Sequence, residues 1–324
     1  MKLFRACLSA LAFASLAGCK MVVLRPAGDI AAQQRDLVLL ATGLMLLIIV
    51  PVIALTLLFA WKYRASNLQA TYAPDWSHSN RIEMAVWGAP LAIILVLGAV
   101  TWTTSHTLDP YRPLSRLAPH RPIPAGVKPL EVDVVALDWK WLFIYPEQGV
   151  ASVNELAAPV DRPIAFKITA SSVMNAFYVP ALAGQIYAMP GMQTQLNAVI
   201  NQPGVYEGFS SNYSGAGFSG MKFKFKGLTP AEFDHWVAQA KAASPALTRA
   251  DYLALARPST DEPVRRFASV DPTLFLAVVN RCAAPGQVCK DQMKSPMPSS
   301  PMAVAMANRI RCAPTRRAPA QHAS

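Results

Sequence analysis

The sequence predicts a membrane-anchored α+β chain: a two-helix transmembrane hairpin, then an all-β sandwich, then short C-terminal helices. Three observations carry that expectation. Two uncharged apolar runs stand early in the chain. Short alternating runs rich in β-branched and aromatic residues begin near residue 128, and capped helix starts follow at Thr229 and Thr248. Composition agrees, since 53% of the 324 residues are hydrophobic and only 15% are charged, more apolar than an ordinary soluble protein.

Residues 1–18 place Lys2 and Arg5 before an apolar stretch too brief to span, and read as an export signal. The signal ends in Leu16-Ala17-Gly18-Cys19, which resembles the bacterial lipobox. Cleavage before Cys19 would make it the lipid-bearing first residue of an outer N-terminal segment, 19–36. One acyl chain adds little to a protein held by two helices, so its expected role is to fix the N-terminus against a neighbour or the outer leaflet.

The hairpin occupies 37–104. Residues 37–60 hold no charge over 24 positions, and a helix of that length at about 1.5 Å per residue crosses a hydrocarbon core of about 30 Å. Residues 84–104 form a second uncharged run, with Pro90 near its start, where a kink is tolerated. Trp61, Tyr63, Trp87 and Trp102 lie near the run ends, where amphipathic rings favour the membrane interface. With Cys19 outside, residues 61–83 form a cytoplasmic loop and everything past about residue 105 is outside again. Lys62, Arg64 and Arg81 fit the positive-inside tendency; Arg112, Arg116 and Arg121 run against it, and the export signal decides.

Residues 125–227, with runs such as LEVDVVAL (130–137) and RPIAFKITA (162–170), are expected to form the sandwich. In 228–280, Thr229-Pro230-Ala231-Glu232 supplies a cap, a first-turn proline and a capping-box acid. Phe233, Trp236, Val237 and Ala240 then share one helical face, and a second start at Thr248–Asp251 leads to Tyr252 and Leu255. The last stretch, 281–324, carries seven Lys/Arg against one acid and supplies six of the +11 charges; its Pro, Ser, Ala and Met content predicts disorder. A basic tail suits anionic headgroups, and export argues against nucleic acid. Cys282 and Cys289 would close a small disulfide loop in an oxidising compartment, leaving Cys312 odd. Alternatively they would bind copper(I) with Met293, Met297 and Met302. The five histidines, His78, His106, His120, His235 and His322, stand at spacings that suit no metal and read as surface, loop or interface.

Three segments make the pattern specific. Leu137-Asp138-Trp139-Lys140-Trp141-Leu142-Phe143 resembles the tryptophan-rich segment of subunit II in haem–copper respiratory oxidases. The stretch from Ser172 to Pro180 resembles the strand end where copper-bearing members place their first histidine. SSNYSGAGFSGM (210–221) resembles their copper loop, Cys-x-Glu-x-Cys-x3-His-x2-Met. The resemblance spans residues 16 to about 260 and implies a cupredoxin-like sandwich. Laid on that pattern, Ser210 and Ser214 stand at the cysteines, Asn212 at the glutamate, Phe218 at the loop histidine and Asn175 at the upstream histidine; only Met221 survives. Hydroxyls, amides and a phenyl ring cannot replace bridging thiolates and imidazoles.

That pattern of loss, with DWKWLFIYPEQG (138–149) and GQIYAMPGMQT (184–194), resembles subunit II of the bo-type quinol oxidases. The resemblance implies a chain that binds no cofactor and packs on subunit I, which holds haem and copper, and on the other oxidase subunits and membrane lipid. It implies ubiquinol, not cytochrome c, as the complex's electron donor, and proton pumping to the outside. The basic charge balance fits poorly with docking a cationic cytochrome. In the family a glutamate placed like Glu83 lies at the mouth of a proton-uptake path; the alternative is an acid at a helix N-terminus, facing water. Trp139 and Trp141, in a segment where an aromatic serves electron entry in copper-bearing relatives, are expected here to pack. A copper-bearing cytochrome c oxidase subunit and a stand-alone binding or assembly lipoprotein are the competing readings.

Overall fold

A computed structural model describes residues 21–71, 73–243 and 245–293. The export signal, Cys19 and the tail from residue 294 lie outside the described residues.

Helices α1 (Asp29–Lys62) and α2 (Asn80–Thr107) form the hairpin. Both outrun the apolar stretches that announce them, because a helix is propagated by backbone hydrogen bonds that polar residues such as Gln33 and Arg35 also make. Residues 29–36, expected as an outer N-terminal segment, are the first two turns of α1. The membrane-length windows of both helices bury nothing against the rest of the chain. At the foot of α1, Asp29 is buried, accepting from Arg116 Nε at 2.9 Å and Gln33 Nε2 at 2.7 Å, which ties the helix to the outer domain.

The outer region starts with a small hairpin, β1 (Arg116–Ala118) with β2 (Arg121–Pro122). The sandwich follows: β3 (Leu130–Leu137), β4 (Lys140–Tyr145), β5 (Val150–Val153), β6 (Glu155–Pro159), β7 (Ile164–Ala170), β8 (Asn175–Tyr178), β9 (Ile186–Ala188), β10 (Thr194–Ala198), β11 (Gly204–Ser210) and β12 (Lys222–Leu228). Five of these strands lie in one sheet, in the order β10-β7-β3-β4-β5, and five in the other, β6-β12-β11-β8-β9. Within them β3 with β7 and β6 with β12 run parallel, the rest antiparallel. The core between the sheets is aromatic: Trp141, Phe143 and Phe166 face Phe177, Phe223 and Phe225. Phe177 and Phe223 stack at 5.4 Å, and Trp141 meets both edge-on.

The C-terminal segment differs from a purely helical region. It contains α3 (Pro230–Ala242), β13 (Ala246–Leu247), α4 (Arg249–Leu255), β14 (Arg265–Phe267), β15 (Ser269–Val270) and α5 (Leu274–Val279). β14 pairs with β5 and becomes the sixth strand of the first sheet. Three residues are too few for an alternation pattern, which is why the strand escapes the sequence. Both expected capping boxes form, Thr229 with Glu232 and Thr248 with Asp251. Phe233, Trp236 and Ala240 are buried on one face of α3, and Val237 packs beside them.

This lobe covers the outer face of the first sheet. Val135, Leu137, Leu142 and Ile144 pack there against Tyr252, Leu255, Phe267, Leu274 and Phe275. β3 is therefore buried on both faces. Order also continues past residue 281, the expected start of a disordered tail. Cys282 and Cys289 form a disulfide, Cys282 lies in the lobe core, and Lys290 Nζ donates to Gly191 O at 2.7 Å. Those contacts hold 281–293 on the domain despite a composition poor in apolar residues. Of the two readings of the cysteine pair, the disulfide is the one formed.

Candidate functional site

The start of β8 and the loop between β11 and β12 bring together the positions that the resemblance aligned with copper ligands. Asn175 opens β8 and Ser210 closes β11, and antiparallel pairing of those strands sets the two side by side. The Ser210 hydroxyl lies 3.1 Å from Asn175 Oδ1 and 3.1 Å from the Asn212 carbonyl, and accepts from the Ala176 amide at 3.4 Å. Both Ser210 and Asn175 are buried, at 3% and 1% exposure, so these bonds replace water for both groups. The Asn212 amide closes the loop on the Met174 carbonyl at 3.2 Å. Ser214 Oγ points at Met221 Sδ, 4.0 Å away, and Met221 is buried in the sandwich core. Phe218 starts a single 3-10 turn and packs edge-on against Tyr213 at 5.6 Å.

All six positions singled out in the sequence thus lie in this loop or on the strand beside it. The donor set does not fit a binuclear copper centre. Two hydroxyls, two carboxamides and a phenyl ring stand where thiolates and imidazoles are needed, and the one surviving soft donor, Met221, faces the core. Ser210 and Asn175 moreover hydrogen-bond to each other, which commits both side chains to closing the loop.

What keeps the loop in shape is Trp139. Its Nε1 donates to the Ser214 carbonyl at 3.0 Å, and its ring lies under Gly215 and Gly217. A Cβ at Gly217 would sit 2.5 Å from that ring, and Gly215 holds φ +116°, so both positions need glycine. Trp139 is half-buried on the loop and Trp141 fully buried in the core, and both rings pack as expected.

Three buried charged groups have no signature in the sequence, because burial on both faces of a sheet leaves no periodic signal. Glu155 Oε1 accepts from Trp236 Nε1 at 2.7 Å and Arg266 Nε at 2.8 Å, while Lys226 Nζ reaches Oε2 at 2.6 Å. Burial pushes its carboxyl up, but those three donors outweigh it and hold it below the usual carboxylate range. Lys140 is buried beside that knot, donating to Arg257 O at 2.9 Å and to the Ser259 hydroxyl; burial lowers its ammonium. Asp133 has no partner for its Oδ1 among the described residues, and burial, partly opposed by Lys167, pushes it up to about 6. Glu155 and Lys140 tie the C-terminal lobe to the sandwich.

Glu83 lies in the first turn of α2, its Oε1 2.6 Å from His78 Nδ1, with both side chains about half exposed (52% and 61%). Of the remaining histidines, His106 packs at a tilt against Trp102, with ring centroids 4.7 Å apart, and His235 pairs with Gln239. Among the described residues no three His, Cys, Asp or Glu side chains gather as a metal site.

Residues 131–227 match the family described as the periplasmic domain of cytochrome c oxidase subunit II, and residues 241–286 match the COX aromatic rich motif. The chain is 51% identical over 266 residues to the cytochrome bo(3) ubiquinol oxidase subunit 2 of Pseudomonas putida, covering 82% of each chain. It is also 51% identical over 264 residues to the ubiquinol oxidase subunit 2 of Acetobacter aceti, covering 82% of this chain and 83% of that one. A crystal structure of the periplasmic domain of cytochrome oxidase subunit II from Bradyrhizobium japonicum is similar at 26% identity and a TM-score of 0.34, over 37% of this chain and 97% of that one. A hairpin, a cupredoxin-like sandwich and a loop whose side chains do not fit a copper centre therefore coincide with relatives of one kind, and the chain belongs to the subunit 2 family of the bo-type ubiquinol oxidases.

Proposed function

We propose that the chain serves as the copper-less subunit II of a proton-pumping ubiquinol oxidase in the bacterial inner membrane. One observation carries this reading: Asn175, Ser210, Asn212, Ser214 and Phe218 occupy the loop that holds copper in cytochrome c oxidase relatives, and hydrogen bonds among Asn175, Ser210 and Asn212 close it. A chain that relays no electrons has no need of a cytochrome c docking face, and its net charge of +11 disfavours one. Ubiquinol is then oxidised in the bilayer by subunit I, where haem and copper reduce oxygen to water.

On this reading the work of the chain is positional. α1 and α2 pack on subunit I through faces that the chain leaves uncovered. The sandwich caps the outer side of that subunit, and Cys19 carries a lipid that holds the N-terminus at the outer leaflet. Glu83, in the first turn of α2 and half-exposed, gathers protons at the cytoplasmic boundary and delivers them to the uptake path of subunit I.

Purification of the tagged chain from membranes in mild detergent, followed by assays of haem, of copper in the outer domain and of quinol-driven oxygen uptake, tests the proposal. The expected preparation contains a haem-bearing subunit, consumes oxygen with quinol and holds no copper in the outer domain. Failure of any haem-bearing subunit to co-purify would sink the oxidase reading, and copper bound in the outer domain would restore the cytochrome c reading.

A further inference from the structure

We propose that the cavity where the hairpin joins the outer domain binds the headgroup of an ethanolamine phospholipid, its ammonium on Asp29 and its phosphate on Arg116 and Arg112.

The first observation is a buried carboxylate that is satisfied on one oxygen only. The Asp29 side chain is 2% exposed, and its Oδ2 accepts from both Gln33 Nε2 at 2.7 Å and Arg116 Nε at 2.9 Å. Its Oδ1 is buried and has no partner among the described residues. A buried carboxylate oxygen without a donor is costly, so the position calls for one.

The second observation is room. Asp29 lines a cavity of about 270 Å³, far more than one water needs and just under the about 300 Å³ at which small-molecule sites begin. Its walls are the first two turns of α1, the end of α2 and residues 108–116, backed by the outer domain at Gly184, Gln185, Leu196 and Asn197. Those walls are held in place without a ligand. Asn197 donates from its backbone amide to the Pro110 carbonyl at 3.0 Å and from Nδ2 to the Arg112 carbonyl at 3.3 Å. Asp109 Oδ1 accepts from the Tyr111 amide at 2.9 Å.

The third observation is height. The uncharged run of α1 begins at Leu37, three residues past Gln34 of the cavity wall, and that of α2 ends at Thr104, three residues before Thr107. Three residues rise about 4.5 Å, which sets the cavity in the headgroup layer, about 5–7 Å deep on each side of the hydrocarbon core. Beneath it the apolar windows of both helices are left uncovered by the chain, so acyl chains can run down beside them.

Charge selects the headgroup. Arg116 spends only Nε on Asp29, and Arg112 gives Nη1 to the His106 carbonyl at 3.3 Å, so guanidinium donors remain for a phosphate. An ethanolamine headgroup brings one ammonium and one phosphate. With Asp29 and Arg116 it completes an alternating quartet in which no charge stands unpaired. Choline has no N–H to offer Oδ1. A glycerol headgroup has hydroxyls to donate but leaves the lipid a net anion beside Asp29 and Asp109. A bare metal ion would meet two guanidiniums and few oxygen donors.

The test purifies the tagged chain with its accompanying subunits in mild detergent, washes it, and measures the retained phospholipids by mass spectrometry, for the unaltered chain, Asp29→Asn and Arg112→Gln. The unaltered chain is expected to retain ethanolamine lipid enriched over its share of the membrane. Asp29→Asn should lower that retention about tenfold, as for one charge-assisted hydrogen bond, and leave glycerol lipids unchanged. Arg112→Gln, which keeps the bonds of Asp29 to Gln33 and Arg116, is expected to lower it as well, and decides the matter if Asp29→Asn fails to fold. Millimolar phosphoethanolamine should not displace the lipid, because the acyl chains add to its hold; full displacement would mark a soluble ligand and overturn the lipid source. No enrichment in the unaltered chain, or equal retention in both variants, overturns the proposal. Loss of a companion subunit together with the lipid in Asp29→Asn also overturns it, and assigns Oδ1 to a cation of that subunit.

Discussion

The hairpin and the outer domain solve the same problem, hiding apolar surface, in opposite ways. In the outer domain most large apolar side chains are buried by the chain itself, and the first sheet is covered on both faces. In the hairpin the apolar windows bury nothing: Leu57 is 65% exposed and Trp87 77%. The outer domain therefore owes its stability to its own contacts, and the hairpin to lipid and to partner helices. Substitutions in the two regions should differ accordingly, in size and in what detects them.

The largest expected effect is at the knot joining the C-terminal lobe to the sandwich. Glu155→Ala strands Lys226, Arg266 and the Trp236 indole, and is expected to lower the stability of the outer domain by about 3 kcal/mol in denaturant melts of the full chain. A loss below about 0.5 kcal/mol would show that the lobe is not held through this knot.

Asp133 gives a pH signature of similar size. Its carboxyl titrates near 6 in the fold against an ordinary 3.8, so between those values the folded form binds the extra proton. Stability then falls as pH rises through the window from 3.8 to about 6 and stays lower above it, by up to about 3 kcal/mol. Asp133→Asn is expected to abolish that slope and to leave the domain more stable at neutral pH. A slope unchanged in the variant would assign it to other groups.

Gly217→Ala should lower stability by about 1–3 kcal/mol, because its methyl meets the Trp139 ring at 2.5 Å. Trp139→Ala in the same chain should relieve that clash and leave the pair less than additive. Additive losses would mean that the loop is not shaped by the tryptophan.

The smallest effect on the outer domain is expected in α1. Leu57→Ala should change its melt by less than about 0.5 kcal/mol while weakening co-purification with subunit I if that face is the docking one. A large change in the melt would break the division between the two regions.

Much of this plan was legible residue by residue. Twenty-four uncharged positions and a run of 21 more forced the hairpin, and the capping boxes at Thr229 and Thr248 marked two helix starts from local sequence alone. The loop at 210–221 could be located because a spacing of ligands survives as a spacing after the ligands are lost. β14, the two-faced burial of β3 and the ordered segment 281–293 were not legible, because each depends on a neighbour distant in sequence: β5, the C-terminal lobe, and Gly191.

The sequence by itself determined which segments are apolar, where helices can start, and that no thiolate or imidazole remains in the loop at 210–221. These are properties of side chains and of local backbone preference, and they need no third dimension. Only the tertiary structure decided that Ser210 and Asn175 complete each other, that Trp139 holds the loop, and that Glu83 pairs with His78. Hydrogen bonds are fixed by ångström-scale distance and direction between groups whose chain separation carries no such information, and that is why folding was needed to reveal them.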